Sequence, residues 1–118
     1  MPNKTRPSLA DKEGSAKRDR KALVLKAMAH PTRLKIIEEL FQHERCVCEL
    51  TNMVGADTST ISKHLSLLKN AGIVADEKRN QMVFYRLIMP CTIHFLLCLE
   101  GVLLERAKQE LKAINEGN

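Results

Sequence analysis

The stretch CVCELTNMVGADTSTISKHLSLLKNAG, residues 46–72, decides the fold. Its first third places Val47, Leu50 and Val54 at i, i+3 and i+7, the spacing of one apolar helix stripe. Gly55-Ala56-Asp57 interrupts the pattern. Asp57 then suits the N-cap of a second helix, because its carboxylate accepts from first-turn N–H groups that have no partner inside the helix. Ile61, Leu65 and Leu68 supply that helix with a core face, and Gly72 stops it. Two short helices joined by a three-residue turn containing glycine form a helix-turn-helix.

Downstream, Ile73 to Asp76 and Met82 to Leu87 read as two strands around the polar turn Lys78-Arg79-Asn80-Gln81, with Val83 and Tyr85 alternating against Phe84 and Arg86. A helix-turn-helix followed by a hairpin is a winged helix, so the expected fold is mainly α with a β-hairpin wing. Upstream, Leu34, Ile37, Leu40 and Phe41 stripe a helix that starts at Pro31, whose fixed φ suits a first turn, and ends near Gln42 or His43. Leu23, Val24, Ala27 and Met28 mark an earlier helix, beginning near Asp19 or Arg20 and broken at His30-Pro31. A last helix runs from Pro90 to about Asn115, with Leu96, Leu99, Leu103, Ala107 and Ile114 on one face. Its first half is apolar nearly all round and needs cover on two sides. A chain this small gains that cover by dimerising through its terminal helices.

The 118 residues suffice for one domain, and with three Phe, one Tyr and no Trp its core must be aliphatic. The net charge of +5 favours a polyanionic partner. Residues 1–17 carry Pro2, Pro7, Gly14 and scattered charges without an apolar period. They read as a disordered basic arm, leaving residues 18–115 as the winged domain. The one long apolar run, Leu87 to Leu104, contains Pro90, His94 and Glu100 and reads as a core or interface helix rather than a membrane span. The N-terminus is polar, without the apolar stretch of a signal peptide. A cytoplasmic protein without a membrane partner is therefore expected, and four cysteines in a reducing compartment point to thiol or metal chemistry rather than structural disulfides.

Opposite Ile61, Leu65 and Leu68 stand Ser59, Lys63, Ser66 and Asn70, flanked by Thr60 and Ser62. Short hydroxyl side chains approach phosphates and base edges closely, and Lys63 supplies charge. Any exposed helix face is polar; the basic charge and the hairpin are what turn this one towards double-stranded DNA. Lys78 and Arg79 at the wing tip would reach a neighbouring phosphate. The candidate DNA contacts are therefore Ser59, Thr60, Ser62, Lys63, Ser66, Lys78 and Arg79. His64 sits beside the apolar face and reads as packing, His30 as a helix-start residue and His43 as a solvated helix end. Without a glycine-rich cleft, a cofactor fingerprint or an organised His/Asp partner for the thiols, an enzyme is not expected, and no cofactor is required.

Cys46 and Cys48 fall at the start of the first helix of the pair. In a regular helix, residues two apart point about 200° away from each other. On that reading both sulfurs grip one ion only if the helix start unwinds, which would disturb the scaffold under the DNA-reading helix. Cys91, His94 and Cys98 follow at i, i+3 and i+7 on the last helix. Cys91 and Cys98 lie about 10 Å apart along its axis, too far to share a small ion, but either is a candidate third sulfur for the Cys46–Cys48 pair. The alternative is that these thiols simply pack, as cysteine is among the most buried residue types. Thiolates select soft ions: arsenite, antimonite, cadmium or lead rather than calcium or magnesium.

Taken together, Ala29-His30-Pro31-Thr32-Arg33-Leu34, Cys46-Val47-Cys48-Glu49-Leu50, Ser59-Thr60-Ile61-Ser62-Lys63-His64-Leu65, Leu68 with Ala71-Gly72, and Val83-Phe84-Tyr85-Arg86-Leu87 resemble the ArsR/SmtB family of metal-responsive winged-helix repressors. The resemblance spans about Leu23 to Leu104. It implies a homodimer on an inverted-repeat operator, released when a metal binds. The Cys-x-Cys box is similar to the arsenite-sensing branch, with arsenite or antimonite as inducer and another soft metal ion as the alternative. Thr51 stands where that branch carries a third cysteine. The cadmium- and lead-sensing branch adds cysteines from the N-terminal arm, and this chain has none before Cys46. The zinc-sensing branch uses Asp, His and Glu on the last helix, partners that His94 lacks. A thiol redox or persulfide sensor, pairing Cys46 or Cys48 with Cys91 or Cys98, is the other reading of the same fold.

Overall fold

The computed structural model describes residues 8–117. Helix α1 spans Leu9–Met28 and α2 Pro31–Gln42; a short strand β1, Arg45–Cys46, leads into α3, Val47–Val54, and α4, Thr58–Asn70. Strands β2, Val74–Arg79, and β3, Met82–Leu87, precede the long α5, Cys91–Glu116. The chain divides into two compact units, one ending at Ile88 and the other beginning at Met89.

The core of the first unit follows from the helical stripes. Ile36, Ile37, Leu50, Ile61, Leu65 and Leu68 are all fully buried, so α2, α3 and α4 enclose one aliphatic centre. Val74 and Tyr85 of the sheet, with Ile73 just before β2, close it. The expected stripe on α2 needs one correction: Phe41 is half exposed, and Ile36 takes the inward position.

Gly55 makes the turn between α3 and α4 possible. It ends α3 at φ 78°, in the left-handed region, with its N–H donating to the Thr51 carbonyl at 2.9 Å. Asp57 then caps α4 as expected, accepting from the Thr60 N–H at 2.7 Å. At the far end Gly72, also left-handed at φ 82°, turns the chain into β2.

Three differences from the sequence reading have physical causes. First, α1 begins at Leu9, not near Asp19 or Arg20, so residues 9–17 are helical rather than a disordered arm; residues 1–7 lie outside the described part. The early turns are exposed and so show no apolar period. They are started by a capping box, in which Ser8 Oγ accepts from the Asp11 N–H at 3.1 Å and Asp11 accepts from the Ser8 N–H at 3.2 Å. Second, β2 extends to Arg79, and Asn80 with φ 58° makes the hairpin turn with Gln81 alone. Lys78 and Arg79 are strand residues. Third, β1 adds a third strand, giving the antiparallel order β1-β3-β2, with Arg45 opposite Tyr85 and Cys46 opposite Phe84.

The second unit is α5. Ile93 near its start is buried, but most of its large apolar side chains are exposed, among them Phe95, Leu97, Leu99, Val102, Leu103 and Leu104. Among the described residues, no helix is long and apolar enough to cross a membrane.

Gly55 supplies a test of the turn. Nothing lies within 4 Å of an added Cβ, so Gly55→Ala costs backbone strain alone. Urea unfolding is expected to show a loss of about 1–2 kcal/mol, and a smaller one for Gly55→Asn, which tolerates the left-handed conformation better.

Candidate nucleic-acid interface and thiol cleft

The outward face of α4 carries Ser59, Thr60, Ser62, Lys63 and Ser66, all exposed, while Ile61, Leu65 and Leu68 hold the helix to the core. Asp57 organises its first turn. Its carboxylate accepts from the Ser59 hydroxyl at 2.9 Å as well as from Thr60, and these bonds, Thr60 foremost, hold its pKa below the ordinary carboxylate value. Lys63 and Lys78 make no ion pair among the described residues and remain available to an anion. Arg79 is already engaged. Its guanidinium pairs with Glu44 and with Glu77, the latter at 2.8 Å, and lies 4.9 Å over the Phe84 ring. It fastens the wing to the segment before β1. The exposed Glu44 carboxyl is correspondingly held low by its bond to Arg79.

Beneath α4, His64 is half-buried against α2. Arg33 Nη1 donates to His64 Nδ1 at 3.2 Å, while Arg33 Nε donates to the Ala27 carbonyl at 2.6 Å. The His30 ring lies 4.5 Å from that of His64, and His30 Nδ1 caps α2 by accepting from the Thr32 N–H at 3.1 Å. His64 therefore packs, and His30 starts a helix, as their sequence positions suggested. Desolvation first, then the neighbouring His30 and Arg33, pushes the His64 pKa below its ordinary 6.5.

The thiol pair departs most from expectation. Cys46 is not inside α3; it is the N-cap, with extended backbone at φ −78° and ψ 163°. The rotation of about 100° per residue applies only within the helix, so the about 200° separation inferred for a regular helix does not arise. The Cys46 and Cys48 Cα atoms are 5.4 Å apart and the two sulfurs are joined as a disulfide. No unwinding is needed to bring them together. The Cys46 sulfur also accepts from the Glu49 N–H at 3.4 Å, while the Glu49 carboxylate accepts from the Cys46 N–H at 3.1 Å, a capping box with sulfur in place of a hydroxyl. Cys46 is buried and Cys48 exposed.

Both cysteines line a cleft of about 290 Å³ with Val47, Thr58, Gln81, Met82 and Val83. Thr58 is the first residue of α4, and the last three belong to the wing, so the sulfurs sit where α4 and the wing meet. Thr51 is occupied elsewhere, its hydroxyl donating to the Val47 carbonyl at 2.8 Å. Cys91 and Cys98 are free and exposed in the second unit. Among the described residues, no three His, Cys, Asp or Glu side chains converge as a metal site. Met82 was missed as a cleft residue; it opens β3 opposite Arg79, two residues before the Phe84 that pairs with Cys46, and that position rather than its type places it there.

This architecture is that of a winged helix-turn-helix protein. Residues 30–76 match the family described as "Bacterial regulatory protein, arsR family". The chain is 43% identical over 67 residues to the cadmium resistance transcriptional regulatory protein CadC homolog of Staphylococcus aureus, covering 56% of this chain and 55% of that protein. It thus spans about half the length of that relative. It is 32% identical over 87 residues to the biofilm growth-associated repressor of Xylella fastidiosa, covering 74% and 76%. The homodimeric winged helix-turn-helix DNA-binding domain from Mycobacterium bovis superposes with a TM-score of 0.74 at 25% identity, over 91% of this chain and 95% of that one. The chain belongs to the ArsR family of bacterial regulatory proteins.

Two measurements probe these assignments. In the fully reduced protein, Cys46→Ala is expected to be about 1 kcal/mol less stable than Cys46→Ser, which keeps an acceptor at the cap, as read by urea unfolding. Because folding depresses the His64 pKa, the unfolded chain takes up its proton first. Stability from this group is complete above pH 6.5 and falls as the pH drops below it towards the folded value. Thermal unfolding at successive pH values should show that decline, and it should flatten in His64→Gln.

Proposed function

We propose that the protein is a transcriptional repressor that binds inverted-repeat operator DNA as a homodimer and releases it when Cys46 and Cys48 thiolates capture arsenite or antimonite. The observation that carries this reading is the cleft shared by the two cysteines, the first residue of α4 and the wing. An adduct there meets both DNA-facing elements at once.

The DNA half of the reading rests on the outward face of α4. Ser59, Thr60, Ser62, Lys63 and Ser66 approach the major groove, and Lys78 on the wing reaches a phosphate. Dimerisation rests on the exposed apolar surface of α5, which in water favours association with a second copy. The Mycobacterium bovis relative is itself homodimeric by its description.

The sensing half requires the dithiol state. Arsenite, As(OH)3, condenses with two thiols to give a dithiolate that keeps one hydroxyl, releasing two waters, so two sulfurs suffice. Binding exchanges the S–H bond of each cysteine for an S–As bond and places arsenic beside Thr58 and the wing, on the sulfur that caps α3. Capture thereby acts directly at the start of α3, with no prior unwinding. A coupling of 1–3 kcal/mol, typical of allosteric proteins, corresponds to about 5- to 150-fold weaker operator binding. The cadmium resistance relative makes cadmium the principal competitor among ions. A redox sensor is the second reading, favoured by the Cys46–Cys48 disulfide; its pair is then Cys46 with Cys48, not with Cys91 or Cys98.

An operator titration under reducing conditions tests the proposal. Cys46→Ser and Cys48→Ser should bind operator yet ignore arsenite and antimonite, whereas equal release of variants and wild type rejects the site. Lys63→Ala should weaken operator binding and lower the slope of log affinity against log salt by about one. Unchanged affinity and slope would remove Lys63 from the interface.

A further inference from the structure

Resting on the reading that the reduced Cys46–Cys48 pair is open to ions, we infer that Met82 on the wing is a third sulfur donor and that the cleft takes a soft monovalent cation, Cu(I). The placement follows from the sheet. In the β1–β3 ladder Arg45 faces Tyr85 and Cys46 faces Phe84. Residues opposite one another in a ladder share a face, and so do residues two apart on a strand. Met82 is therefore on the face of Phe84 and Cys46. Continuing the same antiparallel register two residues further would set Cys48 against Met82. The chain leaves the strand for α3 before that pairing forms, which opens the space between the two positions. Cys46, Cys48 and Met82 all line the resulting cleft, and Met82 is 44% exposed, with its thioether not committed to the core.

The donor set selects the ion. Two thiolates and a neutral thioether carry two negative charges and no hard oxygen or nitrogen donor, a combination that suits Cu(I). Arsenite makes no use of the thioether, since it retains a hydroxyl in the third position. Loading with Cu(I) displaces two thiol protons and transfers no electron. It also ties the wing strand β3 to the N-terminus of α3 through the metal, a link arsenite does not make.

The test is a Cu(I) titration of the full-length, fully reduced protein under anaerobic conditions, against bathocuproine disulfonate as competing chelator. Wild type, Met82→Leu and Cys48→Ser are compared. Met82→Leu keeps the volume and apolar character of the side chain and removes only its sulfur. It is expected to weaken Cu(I) binding by about tenfold or more, and to leave arsenite uptake, read from thiolate-to-arsenic absorption, unchanged. In protein labelled with ¹³C at the methionine methyls, the Met82 methyl resonance should shift on adding Cu(I) to wild type, a readout that does not depend on the variant folding. Equal Cu(I) affinity in wild type and Met82→Leu, with the Met82 methyl unmoved and arsenite uptake lost in Cys48→Ser, overturns this inference alone. Arsenite uptake that survives Cys48→Ser overturns both readings, since the thiolates then form no open site.

Discussion

The structure turns on the change of backbone at Cys46. One residue ends a strand, with its partner on β3, and caps a helix, with its sulfur on the Glu49 N–H. A helix start exposes N–H groups that must find acceptors, and here the acceptor is a sulfur rather than the usual oxygen. Sheet, supporting helix and thiol chemistry therefore share a single side chain. Anything that binds that sulfur sits where all three meet, which is what supports the proposal that a small ligand there acts on the helix-turn-helix and the wing together.

The coupling that proposal requires is short-ranged. The cleft at the sulfurs contains Thr58, one residue after the cap of α4, and Gln81, Met82 and Val83 of the wing. No relay across the molecule is needed. The Arg79 contacts to Glu44 and Glu77 keep the wing in register with the segment entering β1, so the two sides of the cleft are set against each other by charge as well as by backbone pairing. Exposed ion pairs contribute little stability singly, but here three charged groups fix an orientation.

The helix-turn-helix was legible because its determinants are local and periodic: Leu50, Ile61, Leu65 and Leu68 on their stripes, Gly55 in the turn and Asp57 at the cap. The family likeness was legible for the same reason. The thiol geometry was not. A strand of two residues has no period to detect, so Cys46 reads as helical until its partner Tyr85-Phe84 segment is seen beside it. The Arg79–Glu44 pair was not legible because the two residues are distant in sequence, nor the start of α1 because an exposed helix carries no apolar stripe. Met82 enters the cleft only through strand register, which no single segment encodes.

The order β1-β3-β2 has one more consequence. It puts the most apolar strand in the middle, hydrogen-bonded along one edge to β2 and at Phe84 and Tyr85 on the other to β1. Of the outer strands, β1 is only two residues long, and β2 presents Asp76, Glu77, Lys78 and Arg79 along its length. Short or charged rims are poor templates for strand addition, so this sheet resists growing into fibrils or swapping partners. Self-association is left to helical surfaces.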